Sequence, residues 1–316
     1  MAKEIGGYLE FEHYNTSEYY SDLIALNTAR NALLYLLIAK KIKKLYLPYF
    51  LCDSVYTLCE QNGFEYEFYS INPDFTPVFS EELGKDEYLY VVNFYGQLTD
   101  EGILNLKKKH ENIILDNVQA FFRKPIENID AIYCCRKFFG VPDGAYLSTD
   151  AVLSEPLETD KSKDRLVHLF GRFEESASEY YKKFQENEHT FENLPLRYMS
   201  ELTHNLLRAV DYEFVASARS SNFRTLDNLL KDVNTIQPRF NDGAYCYPLY
   251  LKNGLSIKRE LAKNNIFIPT LWPNAAELKG TLECDYAENI LPLPVDQRYN
   301  AEDMEYLAKE VLKCID

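Results

Sequence analysis

The stretch NIILDNVQAFFRKPIENIDAIYCCRKFFGVPDG, residues 112–144, decides how the chain folds. It contains two short apolar runs, 112–115 and 131–135. Asp116 follows the first, and Arg136 and Lys137 follow the second. Runs this short and this apolar suit strands buried on both faces of a parallel sheet. Working outward, residues 88–94 (YLYVVNF) form a third such run, 64–71 alternate like a strand, and 43–47 make a short strand ending at Pro48. Between them lie helical patterns from about Asn31 to Lys40, over 53–62 with a stop at Gly63, and over 102–110. Strand–helix alternation of this kind predicts an α/β fold: a mainly parallel sheet with helices on both faces.

The texture changes after Asp150. Residues 154–215 are polar and read as mostly helical. Residues 226–316 read as a small α+β unit, with a helix near 223–232, a strand at 245–251, a helix at 256–264, a strand at 266–269 and a closing helix from Ala301. The expected division is a large α/β domain over 1–220 and a smaller α+β domain over 221–316. A chain of 316 residues is long enough for both.

In a parallel sheet, ligands sit beyond the carboxyl ends of the strands. Four segments are expected to open there: Asn27 to Arg30 ahead of the first long helix, Tyr95–Gly96, Asp116 to Gln119, and Arg136–Lys137. A carboxylate at such an edge caps a helix or pairs with a pyridinium nitrogen. A lysine there is a surface cation or, if desolvated, an amine of depressed pKa suited to Schiff-base chemistry. Thr28, Ala29 and Arg30 open a helix whose free N–H groups attract an anion. Anion site, carboxylate and lysine on one edge suit pyridoxal phosphate, with Lys137 as the Schiff-base lysine and Asp116 on the ring nitrogen.

Composition narrows the partners. The formal charge is −15, which disfavours nucleic acid and anionic membrane as partners. The 7 cysteines are scattered without zinc-like spacing, and the five histidines likewise, so no metal site is expected. Reduced thiols and a first dozen residues with no apolar signal core suggest a cytoplasmic protein.

Several segments resemble the DegT/DnrJ/EryC1/StrS family of pyridoxal-phosphate-dependent sugar aminotransferases. TARNAL (28–33) resembles the family's phosphate turn, VNFYGQLTD (92–100) its V-H-x-Y-G segment, and LDNVQAFF (115–122) the segment bearing the pyridinium aspartate and a nearby glutamine. CCRKFFGVPDG (134–144) resembles the lysine segment, and RSSNFRTL (219–226) and ILPLPVDQRY (290–299) are similar to the end of such proteins. The resemblance implies a type I aspartate-aminotransferase fold and a homodimer. It also implies transfer of an amino group, with glutamate as donor, to a keto group of a nucleotide-linked sugar. Lys137 and Asp116 would be catalytic. Thr28, Ala29, Arg30, Gln119 and Cys134 would join them in holding the cofactor, Cys134 standing where the family has a phosphate-binding serine. Cys52 replaces a ring-stacking aromatic, for which Phe50 or Phe94 is the substitute. Two rivals share the scaffold: a sugar dehydratase, in which histidine replaces the lysine, and a degenerate member that binds a ligand without transamination.

Overall fold

The computed structural model describes residues 5–315. Eight strands form one sheet: β1 (Ile24–Leu26), β2 (Lys44–Pro48), β3 (Glu65–Ile71), β4 (Pro77–Val78), β5 (Glu87–Val92), β6 (Ile113–Asp116), β7 (Asp130–Cys134) and β8 (Ala145–Ser148). Their order is β1-β8-β7-β6-β5-β2-β3-β4. The five strands from β3 to β7 in that order are parallel, while β8 runs antiparallel to both β7 and β1. Two reversals make β1 parallel to β7. The carboxyl ends of β1, β5, β6 and β7 therefore open on the same sheet edge.

The central strands are apolar because both faces are covered. Leu89, Ile114, Leu115, Ala131 and Leu147 are essentially inaccessible. Helices α1 (Ala29–Ala39), α2 (Asp53–Asn62) and α3 (Asp100–Lys109) flank the parallel strands. Their ends follow local chemistry. Thr28 caps α1 by accepting from the Asn31 amide, and Gly63 closes α2 at φ +72. In α3, Asp100 and Glu101 in the first turn and Lys107 to Lys109 in the last complement the helix dipole. The strands β1 and β8 were not expected: three or four residues carry no usable period, and the sheet edge they complete is set by pairing across the chain.

Residues 151–211 hold α4 (Val167–Glu174), α5 (Tyr181–Thr190) and α6 (Glu201–Arg208). They are followed by α7 (Tyr212–Leu230), β9 (Cys246–Tyr250), α8 (Gly254–Lys263), α9 (Leu282–Asn289), β10 (Ile290–Pro294) and α10 (Ala301–Lys313). β9 and β10 pair antiparallel. Residues 266–269 form no strand, contrary to expectation: the alternation is real, with Ile268 buried and Phe267 63% exposed, but among the described residues no neighbouring strand supplies hydrogen bonds. A second core gathers Phe223, Leu226, Leu230, Leu249, Leu293 and Val311, whereas Val215 at the start of α7 packs into the core of the large sheet. Within the second core region Lys258 on α8 is buried, and the Thr270 hydroxyl at 3.3 Å is its only hydrogen-bond partner among the described residues. Desolvation lowers its ammonium pKa to about 8.

Candidate active site

Asp116 ends β6 and is 5% exposed. One carboxylate oxygen accepts from the Val118 amide at 2.9 Å and the other from the Tyr90 hydroxyl at 2.8 Å. Burial is the largest influence and raises its pKa, against these two bonds and the charge of Lys137. Lys137 lies on the neighbouring strand's exit, in the turn where the Phe138 and Phe139 amides both bond the Cys135 carbonyl. It is solvent-accessible, yet protein surrounds it densely enough for desolvation to be the largest influence on its ammonium. That effect is outweighed. Tyr245, Cys134, Cys52 and Asp116 together push the pKa up to about 12.

The expected depression of the Lys137 pKa is thus corrected. The sequence shows the hydrophobes after the lysine but not the groups that converge on it from four other segments. Near neutrality the Tyr245 phenol, which burial pushes above its ordinary value, carries no charge, and the Asp116 carboxyl group adds to the upward push on the ammonium.

The N-terminal end of α1 presents free helix-end donors. The Thr28 hydroxyl fixes the first turn, leaving the Ala29 and Arg30 amides outside the helical bonding pattern. Arg30 is half-buried and makes no ion pair among the described residues. The carbonyl of Asn27 accepts from the Gly144 amide at 2.7 Å, tying this turn to the lysine loop. Arg136 behaves differently from Arg30: it pairs with Glu188 and stacks on Phe191 at 3.7 Å. The Asn27 and Asn31 amides bond the Pro195 carbonyl. Residues 188–195 of the polar helical segment therefore pack beside this end of the cleft. Cys134 is buried at the end of β7. The Gln119 side-chain carbonyl accepts from the Tyr95 amide at 2.7 Å, holding Tyr95 at φ +55.

Phe50 and Phe94 are not available as ring-stacking residues. They are 0% and 1% exposed and pack on each other at 5.3 Å, with the Trp272 ring 4.4 Å and 5.2 Å away. Trp272 and Cys52 line a hollow of about 370 Å³ with Asp53, Pro273, Asn274 and Glu277. A larger hollow, about 530 Å³, lies away from the lysine, at the β1 edge by Ile24, Tyr35, Tyr198 and His204. The aromatic that does meet the lysine is Tyr245, whose ring centroid is 5.6 Å from the amine. Sequence reasoning missed Tyr245 and Trp272. Both come from the C-terminal unit, and no spacing links them to the lysine. No group of three or more His, Cys, Asp or Glu side chains is placed to hold a metal ion among the described residues.

No family model matches the chain, and no curated protein matches it. Solved structures do. A DegT DnrJ EryC1 StrS aminotransferase from Brucella abortus is 16% identical, with a TM-score of 0.62 over 92% of this chain and 85% of that one. The ntda protein of Bacillus subtilis, solved with the cofactor PMP bound, is 13% identical, with a TM-score of 0.66 over 94% and 73%. PseC of Helicobacter pylori, an aminotransferase involved in the biosynthesis of pseudoaminic acid, is 14% identical, with a TM-score of 0.59 over 96% and 99%. The chain has the fold of these aminotransferases. At this identity the likeness establishes architecture, the type I transferase fold anticipated from residues 28–144.

Proposed function

We propose that this protein is a pyridoxal-phosphate-dependent aminotransferase acting on a small keto substrate, with glutamate as donor and a nucleotide-linked keto sugar as acceptor. The observation that carries the reading is the position of Lys137 and the buried Asp116 at the exits of adjacent parallel strands. The residues fit the group. Arg30 and the α1 amides would hold its phosphate, Asp116 its ring nitrogen, and Lys137 its aldehyde carbon. When bound, pyridoxal phosphate supplies an electron sink for the substrate carbon.

The chain's own residues set up the rest. Tyr90 and the Val118 amide each bond one oxygen of the Asp116 carboxylate and fix its orientation, leaving further lone pairs free. The Lys137 amine, once deprotonated, is the base placed to move a proton at the substrate carbon. Gln119 fixes the Tyr95 turn at the cleft wall. The acceptor class rests on the solved structures: those similar to this chain include a sugar aminotransferase from Micromonospora echinospora and DesI in the presence of its TDP-sugar product.

A homodimer belongs to the same reading. Phe170, Phe173 and Tyr181 on α4 and α5 are 52%, 90% and 57% exposed, apolar side chains that a partner subunit would cover. Sedimentation at micromolar concentration tests it, and a monomer sinks that part.

The decisive experiment adds pyridoxal phosphate to the purified chain. A visible band should form, be abolished by borohydride, and be missing in Lys137→Ala. Because Lys137 is protonated near neutrality, the rate of uptake should rise about tenfold per pH unit from 7 to 10. Glutamate should then bleach the band. No uptake at any pH overturns the proposal; uptake without a response to glutamate overturns the donor.

A further inference from the structure

Arg219 on α7 is a cation sealed inside the protein. It is 2% exposed and forms no ion pair with a carboxylate among the described residues. A buried guanidinium without an anion is costly, and its donors must be satisfied some other way. Here they go to loop carbonyls and one side-chain amide. Nη2 donates to the Phe138 carbonyl at 3.2 Å, Nη1 to the Ala244 carbonyl at 3.1 Å and the Tyr245 carbonyl at 3.4 Å, and Nε to the Gln297 amide oxygen at 2.9 Å. Gln297 in turn donates to the same Phe138 carbonyl at 2.9 Å. The guanidinium also lies over the Phe138 ring at 4.6 Å.

These partners are not arbitrary. Phe138 directly follows Lys137, and Tyr245 carries the ring that faces the Lys137 amine. The next residue of α7 holds the same strip: the Ser220 hydroxyl accepts from the Gly243 amide at 2.9 Å and donates to Asp242. Gly243 sits at φ +61, and a Cβ there would lie 2.3 Å from the Phe122 ring, so the strip leading to Tyr245 runs close against that ring. A rigid planar fork reaches both loops at once, which a lysine ammonium cannot reproduce.

We infer that Arg219, seconded by Gln297, is a positioning residue for Lys137: it locks the backbone after the lysine to the backbone of Tyr245, so that the Tyr245 ring covers the amine. The inference rests on the reading of Lys137 as the reactive amine, but its test needs no cofactor. The full chain without added cofactor is labelled with trace acetic anhydride between pH 7.5 and 10.5, and the acylation of Lys137 relative to exposed lysines is read by mass spectrometry. A ring over a partly exposed ammonium shifts its pKa by about half a unit, about threefold in free amine at any fixed pH below the pKa.

Arg219→Lys and Tyr245→Ala should each raise Lys137 acylation about threefold across the pH range, Tyr245→Phe should leave it unchanged, and the Arg219→Lys/Tyr245→Ala double variant should equal either single one. A folded Arg219→Lys chain that labels like the parent overturns the proposal, as does a double variant whose effects multiply, or a Tyr245→Ala chain that labels like the parent. Should circular dichroism show Arg219→Lys to be unfolded, Gln297→Ala decides: it removes one donor to the Phe138 carbonyl, so its acylation should rise by a smaller factor, and parental labelling overturns the clamp. Failure of the chain to take up pyridoxal phosphate, with the labelling pattern intact, sinks the proposed function and leaves the clamp standing.

Discussion

Two lysines of this protein stand in dense surroundings, and protein matter treats them in opposite ways. Lys137 in the cleft and Lys258 on α8 both feel desolvation as the largest influence. At Lys137 four converging groups reverse it and raise the pKa to about 12; at Lys258 nothing opposes it and the pKa falls to about 8. The lesson is that desolvation alone does not make an activated amine: what stands around the nitrogen decides the sign.

The comparison breaks most visibly if Asp116 is removed. Asp116→Ala takes away the carboxyl group beside Lys137, and Lys137 acylation at fixed pH should rise severalfold. Turnover with glutamate should fall about 10²–10³-fold, the usual loss for a preorganised charged group, while the chain stays folded. An unchanged Lys137 would show that the thiols and the phenol, rather than the carboxylate, hold it.

The next effect is at the other lysine. Its folded pKa of about 8 lies below the unfolded value, so between the two the unfolded chain binds more protons and stability rises with pH, from about 8 to about 10.4. Lys258→Met should flatten that rise and add on the order of 2–3 kcal/mol at pH 7, measured by denaturant unfolding. A parental pH slope in the variant would mean that Lys258 finds an anion or water.

Gly243→Ala should cost about 1–3 kcal/mol, from a left-handed backbone and the Phe122 ring in the path of the new methyl. It should also increase Lys137 acylation, since the strip carrying Tyr245 must move. The smallest effect is expected at Arg136, whose partner Glu188 is exposed: Glu188→Gln should change stability by less than about 1 kcal/mol.

Much of this was readable in the chain. Asp53–Asn62 matched its expected helix to the residue, because a left-handed glycine ends it. The strands around Asp116 and Lys137 were apparent because burial on both faces leaves an unbroken apolar run. The reversal at β8, the partners of Lys137 and the aromatic wall were not. Tyr245 reaches the lysine across more than a hundred residues through backbone bonds that any side chain at 138 or 244 could accept. The Phe50 and Phe94 substitution failed for a related reason: sequence gives a residue's place along the chain, not which side of the cleft wall it faces.

The reversed strand β8 has a consequence for how the protein is made. Residues 24–26 pair with 145–147, so the turn after β1 meets the lysine loop only across a span of about 120 residues. Closing so large a loop is slow relative to local helix formation. A nascent chain that has emerged only as far as Lys137 already holds both catalytic candidates, but its first strand has no ladder partner. Cofactor binding should therefore be among the last properties acquired during synthesis.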